Sequence, residues 1–319
     1  MKKNSRRSFL KKSTLAGLSV GLSKSVFAIK KKLKMDNLVV GHGNFKYIID
    51  KNWGIQNFKK FPIDHCHEMV IDKKNRILMT TTHPKNNILI FDRSGKIEDA
   101  WSINYNGAHG LSILDEGDDE FLFITDPENH KVCKTTINGK KIFELNYPKE
   151  IKDYNSEKDF KPTETCIAPN GDIYVADGYG KDFIIRYDSN GNYIGHFGGK
   201  GDKNENFDCC HGITIDTRDK NNMTLLITSR SKNEFKRFTL DGIYIETISL
   251  PGCWICRPVI KGSNLFFAVI VTKSWDKYDG MLAVLDRNNK VVSLPGGNKP
   301  EYSTNLLTPP ISDKKSFLN

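Results

Sequence analysis

The chain has 319 residues, 38% of them hydrophobic and 27% charged, with a formal net charge of +10. Eleven of its 48 Lys and Arg fall in residues 1–34, which hold no acid, so the rest carries 37 basic side chains against 38 acidic ones. A body so close to neutral has no electrostatic footprint for phosphate backbones, which excludes nucleic-acid binding.

The basic excess has its own explanation. Ser5-Arg6-Arg7-Ser8-Phe9-Leu10-Lys11 matches a twin-arginine export signal. An apolar stretch from Thr14 to Leu22 follows, and Val26-Phe27-Ala28 offers a cleavage site. Residues 1–28 therefore read as a signal peptide, 29–36 as a basic linker and 37–319 as one domain. The expected location is periplasmic or extracellular. The apolar stretch is too short to cross a bilayer and the later run Leu265 to Val271 is strand-sized, so no stable membrane insertion is expected after cleavage. Seven cysteines (Cys66, Cys133, Cys166, Cys209, Cys210, Cys253 and Cys256) leave at least one unpaired and predict one or two disulfides in an oxidising compartment. Only Cys253 and Cys256 have a zinc-finger spacing, and no second pair accompanies them.

From His67 onward a unit repeats. Its most regular part is a turn that closes a strand: Phe91-Asp92-Arg93-Ser94-Gly95, Thr136-Ile137-Asn138-Gly139, Tyr187-Asp188-Ser189-Asn190-Gly191, Phe238-Thr239-Leu240-Asp241-Gly242 and Leu285-Asp286-Arg287-Asn288-Asn289. Their last residues are 44, 52, 51 and 47 apart. Asn170-Gly171 adds the strongest short hairpin signal, ahead of the strand Ile173-Tyr174-Val175-Ala176. Amphipathic helical periodicity is almost absent, and the polar run Tyr147 to Lys161 reads as a loop between units. Several strands per repeat of this length predict an all-β propeller. Five repeats are visible. A sixth blade is expected from both termini, Leu38–Ile49 with the tail around Leu306–Ile311, because a ring of sheets must cover its last edge.

One position per repeat, near the start of the first strand, is held by His67, His109, Thr163, His211 and Arg257. First strands line a propeller's channel, so these side chains should converge. Three histidines there predict a metal site for zinc or a similar divalent transition metal. The other reading has each histidine end its strand and bond a neighbouring backbone. A second ring of loops carries His83, His130, Asp177-Gly178-Tyr179, Ser229-Arg230 and Thr272-Lys273. Asp126 and Asp177 sit where loop-capping carboxylates belong. Tyr179 and Arg230 have no such structural excuse: a tyrosine can move a proton, and an arginine binds a carboxylate bidentately.

The segments Ile173 to Tyr179, His109-Gly110-Leu111 with Ile124-Thr125-Asp126, and His211-Gly212-Ile213 resemble NHL-repeat propellers. Within these the chain is most similar, over about residues 60–250, to the peptidyl-α-hydroxyglycine α-amidating lyases and their bacterial relatives. The resemblance implies a zinc held by histidines from alternate blades, a tyrosine base and arginines that hold a substrate carboxylate. By position it makes His109 and His211 metal ligands, Tyr179 the base and Arg230 a carboxylate holder. His67 stands as the candidate third ligand, because the family's own falls at Pro310 here. His83 lies near the place of a missing first-blade arginine, and with Arg257 it is the candidate substrate-binding residue. The animal enzymes' cysteine after the tyrosine is Gly180 here. The expected partner is a small-molecule or peptide-derived substrate, and the expected state a monomer. A non-catalytic binding propeller is the alternative. A calcium propeller is a third reading, and a structural calcium belongs to the expectations, although Glu68 and Glu164 are the only acids near the axis.

Overall fold

A computed structural model describes residues 38–54, 57–250, 253–271 and 280–297. Within it, residues 38–40 with 46–52 form one compact unit, and residues 41–45 with 53–297 form another. The hairpin β1 (Leu38–His42) and β2 (Phe45–Ile49) is a two-stranded sheet of its own.

Five antiparallel sheets follow, the first four each an up-and-down run in chain order. The first blade is β3 (Cys66–Ile71), β4 (Ile77–Thr81), β5 (Ile88–Phe91) and β6 (Ile97–Trp101). The second is β7 (Leu111–Glu116), β8 (Asp119–Asp126), β9 (Lys131–Thr136) and β10 (Lys141–Leu145), and the third β11 (Glu164–Ile167), β12 (Ile173–Ala176), β13 (Phe183–Tyr187) and β14 (Tyr193–Gly198). The fourth holds β15 (Cys210–Asp216), β16 (Thr224–Ser229), β17 (Glu234–Phe238) and β18 (Tyr244–Ser249). The fifth is β19 (Cys253–Ile255), β20 (Val259–Lys261), β21 (Asn264–Val271), β22 (Met281–Leu285) and β23 (Val291–Ser293), with β19 and β20 both pairing with β21. The only helical pieces among the described residues are two single 3₁₀ turns, Glu157–Asp159 and Arg230–Lys232. None is long and apolar enough to cross a membrane.

The repeated turn is a local device. Asp92, Asp188 and Asp286 each accept the backbone N–H groups two and four residues on with one carboxylate oxygen. The last turn residue is left-handed in all five, from Gly95 at φ 88° to Asn289 at φ 60°. Glycine and asparagine tolerate that conformation, which is why the repeat shows in the sequence.

Blade packing explains the strand composition. In β12, Tyr174 and Ala176 face the fourth blade beside Ile213 and Leu225, while Ile173 and Val175 face the second beside Phe123 and Val132. A strand covered on both faces is apolar at every position. Similar cores join the first blade to the second and the fourth to the fifth.

The expectation of six blades is corrected to five. Leu38–Ile49 does not join a blade sheet, and Leu306–Ile311 lies outside the described residues, as do the signal segment and linker. Among the described residues no core cluster joins the fifth blade to the first. The far side of the first blade is covered at Met79, Leu89 and Phe91 by Trp53 and Phe61, while Met69 and Ile71 stay 47% and 55% exposed. The expected disulfides are corrected as well. Cys66, Cys133, Cys166, Cys209, Cys210 and Cys256 are all free thiols; Cys133 and Cys166 are small apolar fillers in two different inter-blade cores.

Candidate functional site

The axial centre is built by close backbone approach. A Cβ at Gly110 would lie 2.5 Å from the Thr163 carbonyl oxygen, and one at Gly178 would lie 2.5 Å from that of Cys210. Glycine at these positions lets neighbouring blades close on the axis and sets His109 and Tyr179 at its mouth. In His109-Gly110 and Gly178-Tyr179 a packing requirement thus stands next to a chemical group.

His109 and His211 are buried, and their Nε2 atoms lie 3.2 Å apart. His109 Nδ1 donates to the Thr163 carbonyl (2.9 Å), which leaves a lone pair on its Nε2. The Tyr179 hydroxyl is 2.9 Å from His211 Nε2 and 3.5 Å from His109 Nε2, and it accepts from Arg230 Nη1 at 3.2 Å. His211 Nε2 thus lies within reach of both the Tyr179 hydroxyl and the unprotonated Nε2 of His109. Two imidazole nitrogens this close then need a proton or a cation between them. Burial lowers His109 to about 3, and His67 and Arg230 add to the shift. His211 is driven well below the ordinary histidine value by burial, then by Arg230. Both rings are therefore neutral donors at physiological pH. The Tyr179 phenol is raised by burial, with Arg230 opposing.

His67 meets this pair differently. Its ring stacks on His109, centroids 4.3 Å apart at 28°, and burial lowers its pKa. The axial series thus brings His67, His109 and His211 together, but His67 lies face to face with its neighbour. Among the described residues, no group of three His, Cys, Asp or Glu side chains has the arrangement of a metal cage.

The loop that carries Tyr179 is pinned from beneath. Asp177 accepts from Tyr154 Oη (2.7 Å), Lys161 N (2.6 Å) and Lys181 N (2.7 Å). Burial among these neutral donors lifts its carboxyl to about 7. Asp126 plays the same capping part for Glu128 and Asn129, so both carboxylates organise loops as the sequence suggests.

Arg230 is 5% exposed. Its Nε donates to the Ile255 carbonyl (3.2 Å), and its Nη2 lies 3.7 Å from Cys256 Sγ. No carboxylate pairs with it among the described residues. Arg257 has the opposite surroundings. Its Nη1 donates to the Leu111 carbonyl at 3.0 Å and lies 3.3 Å from Glu164 Oε1, and its Nη2 lies 3.6 Å from Glu68 Oε1. It reaches from the fifth blade to the first, second and third. Burial, outweighing the attraction of Arg257, raises the Glu164 carboxyl; Arg257 itself is raised by its two carboxylates against burial. The structure sets Arg257, the expected substrate binder, against these two carboxylates inside the protein. His83 does not line the cavity beside His67, His109 and Tyr179, and its Nδ1 accepts the Lys85 N–H at 3.2 Å. His130 likewise bonds the Phe160 carbonyl (2.8 Å). Thr272 and Lys273 lie outside the described residues. Sequence reasoning missed the Thr163 carbonyl that sets the His109 tautomer, since a backbone oxygen leaves no signature. It also missed the wall made by Asp64, His65 and Glu128, which come from connections that vary between repeats.

Two Nε2 atoms 3.2 Å apart match the separation of neighbouring tetrahedral ligands whose bonds are about 2 Å long. The neutral imidazoles and the set His109 tautomer therefore suit a divalent transition metal. Calcium has no comparable donor set among the described residues, since Glu68 and Glu164 are engaged by Arg257.

Fold and site together define a β-propeller with a histidine–tyrosine–arginine centre at its axis. No protein-family model matches the chain. The chain is 30% identical over 119 residues to a probable peptidyl-alpha-hydroxyglycine alpha-amidating lyase of Caenorhabditis elegans, a partial homology that covers 37% of this chain and 33% of that protein. The match thus spans about a third of that relative's length. Among solved structures, the selenomethionine-substituted virginiamycin B lyase of Staphylococcus aureus aligns with a TM-score of 0.53 at 15% identity, covering 82% of this chain and 86% of that one. A streptogramin B lyase aligns at 0.52 and 17%, covering 76% and 71%. At such identities these structures speak for the propeller fold alone.

Proposed function

We propose that the protein is an exported, metal-assisted lyase that cleaves a small hydroxylated substrate bearing a carboxylate, of the peptidyl-α-hydroxyglycine type. The observation that carries this reading is the Tyr179 hydroxyl, held at once against His211, His109 and Arg230. Arg230 keeps N–H donors not taken by Tyr179 and Ile255, and these receive the substrate carboxylate. That contact sets the neighbouring hydroxyl beside Tyr179. His109 and His211, with His67 alongside, would hold a zinc-like cation that polarises the substrate oxygen and favours the Tyr179 phenolate. Tyr179 then accepts the hydroxyl proton. The oxygen's electrons form a carbonyl, the bond from carbon to the leaving nitrogen breaks, and that nitrogen takes up a proton, giving an amide and a glyoxylate-type acid. Export follows from Arg6-Arg7 in residues 1–28.

Metal analysis of the purified protein, together with glyoxylate release from an α-hydroxyglycine peptide, tests the reading. About one transition-metal ion per chain is expected, lost in His109→Ala and His211→Ala, with turnover down about 10²–10⁴-fold in Tyr179→Phe. Metal-free protein that neither gains metal nor turns over would sink it. The second reading, a non-catalytic binding propeller with a degenerate site, is favoured by the absence of a three-donor metal cage among the described residues. Stable binding of the peptide without cleavage would select it.

A further inference from the structure

The cavity beside His67, His109 and Tyr179 is lopsided. It has a volume of about 590 Å³, and apart from Tyr179 its walls come from the first two blades and the connections before them. Arg230, the anchor for an acidic group, donates to the Tyr179 hydroxyl and is not part of that wall. A substrate whose carboxylate meets Arg230 must therefore send the rest of its body across His67 and His109. The volume lies in the range that encloses a ligand of drug size, well beyond a two-carbon acid.

The charge of this wall is one-sided too. Asp64, from the connection before the first blade, and Glu128, from the second blade, both line it, and no Lys or Arg does. Glu128 is set in place by the fold. Asp126 accepts its backbone N–H at 2.9 Å, and its side-chain stem packs over Gly107, where a Cβ would come within 2.6 Å of Glu128 Cγ. Asp64 Oδ1 accepts the His65 N–H at 3.0 Å, and the His65 ring lies 3.6 Å away. A concave wall of one sign concentrates ligands of the opposite sign.

We infer that the body of the substrate lies over the first two blades, and that Asp64 and Glu128 select substrates carrying a protonated amine or guanidinium remote from the carboxylate. The inference rests on the lyase reading for the position of the carboxylate. A cationic group there adds attraction without touching the reacting atoms, so selection falls mainly on KM.

The test compares two peptides of equal length ending in α-hydroxyglycine, one with lysine and one with glutamate two residues before it. Their unhydroxylated glycine counterparts serve as binding probes in calorimetry. The expected result is a preference for the lysine peptide on the order of tenfold in kcat/KM and in affinity, from two partly exposed charge pairs. It should shrink in high salt and fall severalfold in Glu128→Gln and in Asp64→Asn. Equal values for the two peptides, a preference untouched by both substitutions, or binding of neither probe would overturn the inference. If the lysine probe binds selectively but neither peptide is cleaved, the selection stands and the lyase reading fails.

Discussion

Arg230 and Arg257 come from neighbouring blades, both reach the channel, and in sequence both look like anchors for an anionic ligand. Arg230 is surrounded by a phenol, a backbone carbonyl and a thiol, while Arg257 faces Glu164, Glu68 and the Leu111 carbonyl. Neutral partners orient a guanidinium and leave its charge for a ligand. Carboxylate partners consume the charge and turn the side chain into a tie between blades. Arg257 thus ties the fifth blade to Glu68 of the first across the axis.

The sharpest way to break the comparison is Arg257→Met. Stranding Glu164 and Glu68 should cost about 3–5 kcal/mol in urea unfolding. Adding Glu68→Gln should restore part of that loss, because the stranded Glu68 carboxylate is replaced by a neutral amide. A melt unchanged in Arg257→Met would show that the tie carries nothing. Arg230→Gln should act in reverse, with a nearly unchanged melt and a KM raised about 30-fold, the equivalent of about 2 kcal/mol for a charge-assisted contact. A fall in kcat at unchanged KM would remove Arg230 from carboxylate binding. Gly110→Ala, which pushes a methyl group at the Thr163 carbonyl, should cost about 1–3 kcal/mol and loosen metal retention through His109.

The smallest effect compares two carboxylates with pH. Asp216 would be raised by burial, but hydrogen bonds from Arg218 and Arg237 hold it at about 2. Its contribution is present above the ordinary carboxylate value and is lost as pH falls through 2. Asp177, raised by burial to about 7, has the opposite sign: its contribution is full at low pH and is lost as pH rises through 7. Melting followed from pH 2 to 8 should show Asp216→Asn flattening the acid side and Asp177→Asn the neutral side. Identical profiles would contradict both assignments.

The sequence by itself determined the propeller repeat, because each repeat is closed by a turn whose hydrogen bonds run over two to four residues and whose last residue needs a left-handed backbone. It also marked His109, His211, Tyr179 and Arg230, through glycines and polar groups that strand alternation does not require. What the tertiary structure alone decided is non-local. The number of blades depends on segments at the two ends of the chain, and the described residues form five blades where the pattern suggested six. The difference between Arg230 and Arg257 depends on groups from 25 to 189 residues away that only blade closure brings together. A residue type states which charge is available; the partners that spend or spare that charge are chosen by packing.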